Sequence, residues 1–248
     1  MSIVGTIFTT KNLGTKKKAE LFFENLALLN YLPNKIGLYD PAKEEFSVNK
    51  AIDMWTYGEE GCYVEGIGNT GYFGSVVGKN VKLGFRFDIF WWNSSQKNYM
   101  NRIDFYFTNK SFSLNKEKVI QLFKELITIS EACYGYISHS DCEDRQHVTG
   151  DLTTRLPGVF WCNYFGEKLK DFFEEKKILA YPWYNHEYHG SSGIITYLSK
   201  ETKELLGSEE PEIQAKTYLG EKSFGDVKQF IENPEMIQQR IVPNFFKE

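Results

Sequence analysis

The sequence predicts an α+β fold in which amphipathic helices pack on one face of a twisted antiparallel sheet. Two stretches of the chain alternate apolar and polar side chains, a pattern typical of strands that have one covered face. Three further stretches repeat apolar residues at the spacing of one helix face. The chain is also rich in aromatic residues, with 20 Phe, 15 Tyr and 5 Trp, which suit pleated, half-buried surfaces.

Helices are predicted within residues 16–32, 114–130 and 166–177. Pro33 ends the first because a proline breaks the hydrogen bonding of a helix interior, and Asn115 or Ser113 is available as N-cap of the second. The apolar faces of the three segments are formed by Ala19, Phe22, Phe23, Leu26 and Leu29 or Asn30, by Val119, Leu122, Phe123, Leu126 and Ile127, and by Leu169, Phe172 and Phe173.

The clearest strands are residues 81–92 and 101–108. Their apolar side chains, beginning at Val81 and Leu83, point to one side, and the polar residues between the two stretches predict a hairpin loop. The opposite side carries charged residues that can pair across strands, namely Arg86, Asp88, Arg102 and Asp104. Further strands are expected within residues 71–77, 132–140, 158–165 and 192–199.

The order of these elements favours an α+β arrangement over alternating βαβ units. The sequence contains no fixed-period repeat and no low-complexity segment. We therefore expect residues 1–248 to form a single α+β domain. The polar, turn-rich stretch near 140–154 is the place where a two-lobed arrangement would divide the chain.

Composition favours a soluble protein of the cytoplasm. The net charge of −4 argues against nonspecific binding to nucleic acid, which draws its affinity from neutralised phosphates. Near the N-terminus, the basic cluster follows the short apolar part, which is the reverse of a secretory signal, and no apolar run is long enough to span a bilayer. The cysteines Cys62, Cys133, Cys142 and Cys162 show no CxxC spacing, so we expect reduced thiols.

Sequence motifs for catalysis, metal or cofactor binding are weak. The glycine-rich residues 66–74 are followed by a strand pattern, which predicts a hairpin turn rather than a phosphate-binding loop. His139 and His147 lie among acidic residues, and His186 and His189 are three apart, but neither spacing matches a common zinc signature. We therefore predict no catalytic residues, no metal and no cofactor. A hydrolase or nuclease that uses either histidine pair stays open as an alternative.

A protein that works by binding would use aromatic residues at its surface. The candidates fall in two groups, one around the predicted hairpin and one in a stretch rich in turn-forming residues. For each of these side chains the alternative is core packing or loop anchoring. The candidates are Trp92 and Tyr99 in the first group, and Trp183, Tyr184, His186 and Tyr188 in the second.

Two passages carry a family resemblance. Residues 36–47, IGLYDPAKEEFS, contain a tyrosine, an acidic residue and a proline, followed by charged residues and a phenylalanine. Residues 156–173, LPGVFWCNYFGEKLKDFF, contain an aromatic run with a tryptophan, then asparagine, two aromatics, glycine and a helix. On these motifs the chain resembles the bacterial immunity protein 52 and type VI immunity families of polymorphic-toxin systems. The matching residues are Tyr39, Asp40, Pro41, Trp161, Asn163, Phe165 and Gly166.

The resemblance implies a cytosolic, non-enzymatic protein that binds and neutralises a cognate protein toxin. An acidic net charge agrees with this role because it steers a protein onto basic surfaces. In this interpretation Trp161 and Phe165 lie in a buried strand, Gly166 permits a tight turn and Asn163 caps that turn. A subunit or inhibitor in a bacterial or phage defence system is the alternative binding protein.

Overall fold

The computed structural model describes residues 2–146, 152, 154–191, 193–225, 231–232 and 239–247. The fold is of the α+β class and its strands are mainly antiparallel. The predicted fold class is thus confirmed. The chain divides into two compact units, Met1–Ala132 and Cys133–Glu248. This division precedes the stretch near 140–154, and the single folding domain expected from the sequence stays a prediction.

Unit 1 is an antiparallel sheet with three helices, in the strand order β1-β9-β8-β7-β2-β3, and β4 also pairs with β7. A small hairpin, β5–β6, lies outside this sheet. The strands are β1 (Ser2–Thr9), β2 (Lys35–Gly37), β3 (Glu44–Glu45), β4 (Glu59–Glu60), β5 (Tyr63–Val64), β6 (Gly68–Asn69), β7 (Gly71–Asn80), β8 (Phe85–Ser94) and β9 (Asn101–Thr108), and the helices are α1 (Lys16–Leu28), α2 (Val48–Thr56) and α3 (Asn109–Ser130).

An aromatic layer joins the helices of unit 1 to one face of its sheet. Phe87 of β8 lies 4.9 Å from Phe22 of α1 between ring centroids. Phe22 in turn lies 5.0 Å from Trp55 of α2. Phe105 of β9 meets Phe123 of α3 at 6.3 Å. Burying these large side chains supplies most of the driving force for packing the helices on the sheet.

The aromatic layer fits because glycines lie beneath its rings on the neighbouring strand. Gly78 pairs with Phe87 and Gly74 pairs with Trp91. A Cβ atom would lie 2.4 Å from the Phe87 ring if placed on Gly78, and 2.3 Å from the Trp91 ring if placed on Gly74. Both distances are far inside van der Waals contact, so the rings occupy the space that a side chain would need.

Replacing Gly78 with alanine is expected to destabilise the protein by about 1–3 kcal/mol, because the added methyl group displaces the Phe87 ring from a filled layer. The measurement is the free energy of unfolding in urea. Gly207→Ala is the control, since nothing lies within 4 Å of a Cβ at that position. Equal stability of the two variants would show that the layer has room for the methyl group.

Several elements of unit 1 differ from the sequence prediction. Helix α3 starts at Asn109 with Thr108 as N-cap, and Asn115, a predicted cap, sits at a kink with φ −136°. Val81 and Leu83 lie in the turn before β8 and are exposed, so the inward-facing series begins at Phe85. Strand β1 and helix α2 were not predicted. The hairpin loop before β9 is confirmed, and the hairpin turn predicted for residues 66–74 is found at residues 65–67, between β5 and β6.

The charged side chains on the other face of the sheet pair along their strands. Arg86 and Asp88 of β8 form an ion pair at 2.9 Å, and Arg102 and Asp104 of β9 form another at 2.7 Å. These two ion pairs run along the strands and not across them as expected. Across the strands, Asp88 lies directly opposite another acidic residue, Asp104. Each arginine therefore neutralises the carboxylate two residues further along its own strand.

Unit 2 contains an antiparallel sheet in the order β12-β13-β11-β10. Strands β10, β11 and β13 are buried along their length, whereas β12 lies at the edge and is largely exposed. The strands are β10 (Tyr134–His139), β11 (Cys162–Phe165), β12 (Asn185–His189) and β13 (Gly193–Tyr197), the α-helices are α4 (Ser140–Asp144), α5 (Glu167–Phe173), α6 (Glu175–Ala180) and α7 (Glu210–Leu219), and 3₁₀ turns cover Thr202–Leu205 and Glu221–Ser223.

Two predicted elements of unit 2 are shorter than expected. The helix predicted over residues 166–177 is broken at Glu174, whose φ of 64° lies in the left-handed region, and it forms α5 and α6 instead. The strand predicted over residues 158–165 is regular only in β11. The preceding Phe160 is held by the side chain of Asn163, which accepts from its N–H and donates to its carbonyl, both at 2.8 Å.

The motif residues around β11 are buried. Trp161 donates its indole N–H to the carbonyl of Ser199 at 2.9 Å, and Phe165 packs against Phe173 at 5.9 Å between ring centroids. The side chain of Asn163 hydrogen-bonds to the backbone of Phe160, before the strand, and does not cap the turn at Gly166 as predicted. Gly166 has φ −72°, an ordinary value for any residue, so its backbone conformation does not require glycine.

Trp161→Ala is expected to lower the free energy of unfolding by about 3–5 kcal/mol, because it leaves a large cavity beside β11 and removes a buried hydrogen bond. Chemical denaturation measures the loss. Phe172→Ala, at a ring that is 40% exposed, provides the comparison and should cost much less. A Trp161→Ala protein with unchanged stability would contradict a core role for this side chain.

Candidate protein-binding surface

The first pair of predicted binding residues lies at one end of the unit 1 sheet. Trp92 is on β8, and Tyr99 is in the loop before β9. Their rings stack, with centroids 5.9 Å apart and planes inclined by 20°. Both side chains are half-buried, so the stacked pair offers one face to solvent while its other face is covered.

The second group lies in unit 2, on and just before the edge strand β12. Tyr184 and Tyr188 are more than half exposed, and His186 is exposed as well. Tyr188 donates its hydroxyl to Glu175 at 2.8 Å. Trp183 differs from these residues because it is buried and donates its indole N–H to the carbonyl of Ile178 at 2.7 Å. Trp183 therefore anchors the segment that presents the other three.

In the part of the chain that the structure describes, no group of three or more His, Cys, Asp or Glu side chains is placed to hold a metal ion. His139 is buried and caps α4 by accepting from the N–H of Asp141 at 3.3 Å. Burial lowers the pKa of His139, against the opposing effect of Asp141. His147 lies outside the described residues. His186 and His189 point to opposite faces of β12 because their spacing is odd.

Directly after α4, Arg145 forms a largely buried ion pair with Glu212 of α7. Arg145 donates from Nε to one carboxylate oxygen of Glu212 at 2.9 Å, its Nη2 lies 2.8 Å from the other oxygen, and it donates to the carbonyl of Leu205 at 2.8 Å. Burial raises the pKa of Glu212 to about 7, although Arg145 opposes the shift. Burial also raises the pKa of the Cys142 thiol to about 12, which makes it a poor nucleophile. This cluster connects α4 to α7 and is structural.

Glu212→Gln is expected to remove a pH dependence of stability. The pKa of Glu212 is raised from 4.5 to about 7 in the folded protein, so the folded state holds this proton more tightly than the unfolded chain. The contribution is complete below the unfolded pKa and is lost as the pH rises through about 7. Between about pH 5 and pH 8, the wild type should therefore lose on the order of 2 kcal/mol more unfolding free energy than the variant.

Urea denaturation at the two pH values measures this difference. Glu209→Gln is the matched control, since Glu209 is exposed and lies beside the start of the same helix. The control should keep the wild-type pH dependence. Identical pH profiles for wild type and Glu212→Gln would contradict the raised pKa.

A surface that the sequence patterns did not single out lies at the edge of the unit 1 sheet. It consists of large side chains that are each at least 48% exposed. Tyrosine is enriched in protein interfaces because its large, rigid ring loses little conformational entropy on binding. We call this the tyrosine surface, and its members are Tyr39, Tyr57, Tyr63, Ile67 and Tyr72.

Strand pairing connects parts of this surface through β4 and β7. Strand β4 pairs with β7 so that Glu60 lies opposite Tyr72. Tyr39 donates its hydroxyl to Glu59 of the same short strand at 2.6 Å. The hairpin β5–β6, which carries Tyr63, leads directly into β7. The predicted residue Trp92 pairs with Phe73, next to Tyr72, and therefore lies one strand away from this surface.

The hydrogen bond to Glu59 also fixes the chemical state of Tyr39. This bond is the main reason that the pKa of Tyr39 is raised to about 12, with burial and the charge of Glu59 as smaller causes. The hydroxyl is therefore neutral at physiological pH and is held toward the carboxylate. Tyr39 presents its ring to solvent in a defined orientation.

Negative charge is concentrated in the same part of the chain. Residues 39–72 contain seven acidic residues and two lysines, an excess that is larger than the net charge of −4 of the whole chain. The acidic side chains are Asp40, Glu44, Glu45, Asp53, Glu59, Glu60 and Glu65, and all are exposed or half-buried. Counting charges over residues 39–72 of the sequence would have revealed this acidic segment.

Comparisons with known proteins add a fold neighbour. No protein-family model matches the chain, and no curated protein matches it. Among solved structures, the Pseudomonas aeruginosa T6SS protein PA0821 is similar, with a TM-score of 0.58 and 13% sequence identity over 90% of this chain and 73% of that chain. At this identity the similarity shows a common fold. Within the described residues, no helix has the length and apolar character needed to cross a membrane.

Proposed function

We propose that the protein acts by binding, without catalysis, as an immunity-like protein that captures and neutralises a basic bacterial toxin through the tyrosine surface. The observation that carries the proposal is the coincidence of exposed tyrosines with the acidic excess of residues 39–72. Under this proposal the protein works in the cytoplasm of the cell that makes the toxin.

The two components of the surface have different physical roles. Exposed aromatic rings supply contact area that loses its water on binding, and such residues dominate the energetics of many interfaces. The surrounding carboxylates steer a basic partner and raise the rate of association. The ring of Tyr39, oriented by Glu59, costs little further ordering when a partner binds.

Two further observations support an immunity-like role. The fold is similar to that of a Pseudomonas T6SS protein, and T6SS is the context of the type VI immunity families that the sequence resembles. Tyr39, Asp40 and Pro41, which carry part of that resemblance, lie on or beside the tyrosine surface. Asp40 is tied to the sheet by an ion pair with Arg86 at 3.2 Å.

Replacing Tyr63 and Tyr72 together with alanine is expected to weaken partner binding by about 30-fold or more, as the loss of a binding hot spot does. The folding stability should change little because both side chains are exposed. The partner is first identified by purifying the tagged protein from its host and is then produced separately. Titration calorimetry measures the affinity, and growth of cells that express the partner measures neutralisation.

The matched control is Tyr184→Ala with Tyr188→Ala, a pair of equally exposed tyrosines in unit 2. Loss of binding in this control but not in Tyr63→Ala, Tyr72→Ala would move the interface to β12 and contradict the proposed surface. Charge reversal at Glu60 and Glu65 should mainly slow association, and increasingly so as the salt concentration falls. A partner that is an enzyme of a defence system and not a toxin would favour the alternative binding function.

A further inference from the structure

An open, shallow cavity of about 580 Å³ lies in unit 1, and its lining residue Arg86 contacts Asp40, the neighbour of Tyr39. It lies between the turn that joins β7 to β8 and the end of β9. Its volume is in the range of small-ligand pockets, which are typically about 300–1,000 Å³. The lining residues used below are Lys79, Val81, Phe85, Arg86, Asp88 and Tyr106.

The wall of the cavity is mostly apolar. Val81 stands at the turn and is 75% exposed, which is unusual for a valine and leaves its side chain without cover. Phe85 is buried, and its ring packs against Tyr31 and Phe107 on the helix-covered face of the sheet. The ring of Tyr106 lies under the guanidinium of Arg86, with 5.9 Å from the guanidinium carbon to the ring centroid. An apolar group entering the cavity would remove this surface from water, which is favourable.

The two basic side chains of the cavity wall differ in their ion pairing. Arg86 donates to both carboxylate oxygens of Asp88, at 3.0 and 2.9 Å, and also contacts Asp40 at 3.2 Å. The guanidinium of Arg86 is therefore already paired with two carboxylates. Lys79, in contrast, has no ion pair or hydrogen bond from its side chain among the residues that the structure describes. The ammonium of Lys79 is therefore the charge that a ligand is free to pair with.

We propose that this cavity binds a carboxylate attached to an apolar group. The carboxylate pairs with the ammonium of Lys79, and the apolar group packs against Val81 and the ring of Tyr106. A cationic ligand would be repelled by Lys79, and the carboxylates of Asp88 and Asp40 are already paired with Arg86. The ligand is either a small free acid or the C-terminal residue of a polypeptide, since both present the same chemistry. This site does not depend on the proposed function of the tyrosine surface.

Calorimetric titration and NMR shift mapping of the full chain test the proposal with matched probes. Phenylacetate and its neutral amide represent the free acid. A pentapeptide ending in phenylalanine, with a free or an amidated C-terminus, represents the polypeptide. Each acid is expected to bind about tenfold or more tightly than its amide, because a charge-assisted hydrogen bond is lost in the amide. Binding of phenylacetate alone, or of the peptide acid alone, identifies the source and supports the site.

The variant Lys79→Met keeps the aliphatic stem and removes the charge, so it should reduce the affinity of the acid to that of the amide. Lys82→Met is the control, because Lys82 is an exposed lysine of the same turn that does not line the cavity. Val81→Asp, at an exposed position that does not endanger folding, should also abolish binding of the acid. The proposal is overturned if neither acid binds, if acid and amide bind equally, or if Lys82→Met has the same effect as Lys79→Met.

Discussion

The packing of aromatic rings over glycines of the neighbouring strand is the constraint on which the rest of unit 1 depends. Phe105 lies over Gly5, Phe87 over Gly78 and Trp91 over Gly74, and at each glycine a Cβ atom would overlap the ring. Lying flat over the backbone, the rings make the apolar face of the sheet broad enough to receive three helices. Cross-strand pairs of this kind also fix the register, because a slip by one residue would place each ring over a side chain.

The aromatic layer also positions the tyrosine surface. Trp91 donates its indole N–H to the carbonyl of Trp55 at 2.9 Å, and Trp55 donates its own to the carbonyl of Leu13 at 2.6 Å. One buried hydrogen bond thereby attaches the end of α2 to β8, and the other attaches it to the segment between β1 and α1. Tyr57 and β4 follow directly after that helix, so the exposed rings are carried by a firmly held segment. Such preorganisation favours binding because less conformational entropy is lost.

On the other face of the same sheet, pairing of charges along the strands has a consequence for the cavity. Asp88 and Asp104 lie directly opposite one another, and two unpaired carboxylates in that position would repel. Arg86 and Arg102 each neutralise one of them. Because Arg86 is engaged in this way, Lys79 on the neighbouring strand is left as the accessible cation of the cavity wall.

Sequence patterns were enough to predict the α+β class, the hairpin from β8 to β9 and the apolar faces of α1 and α3, because the periods of strand and helix are local properties of the chain. They also marked Trp161, Asn163 and Phe165 as a distinctive motif. Asn163 was predicted to cap the turn at Gly166, whereas its side chain bonds to the backbone of Phe160. The folded chain alone reveals the break at Glu174, the pairing of Arg145 with Glu212 and the exposure of the tyrosines between residues 39 and 72. These features join residues whose partners are distant or irregularly spaced in the chain. Since the entropy of closing a loop grows only slowly with its length, spacing along the sequence does not indicate which partners meet.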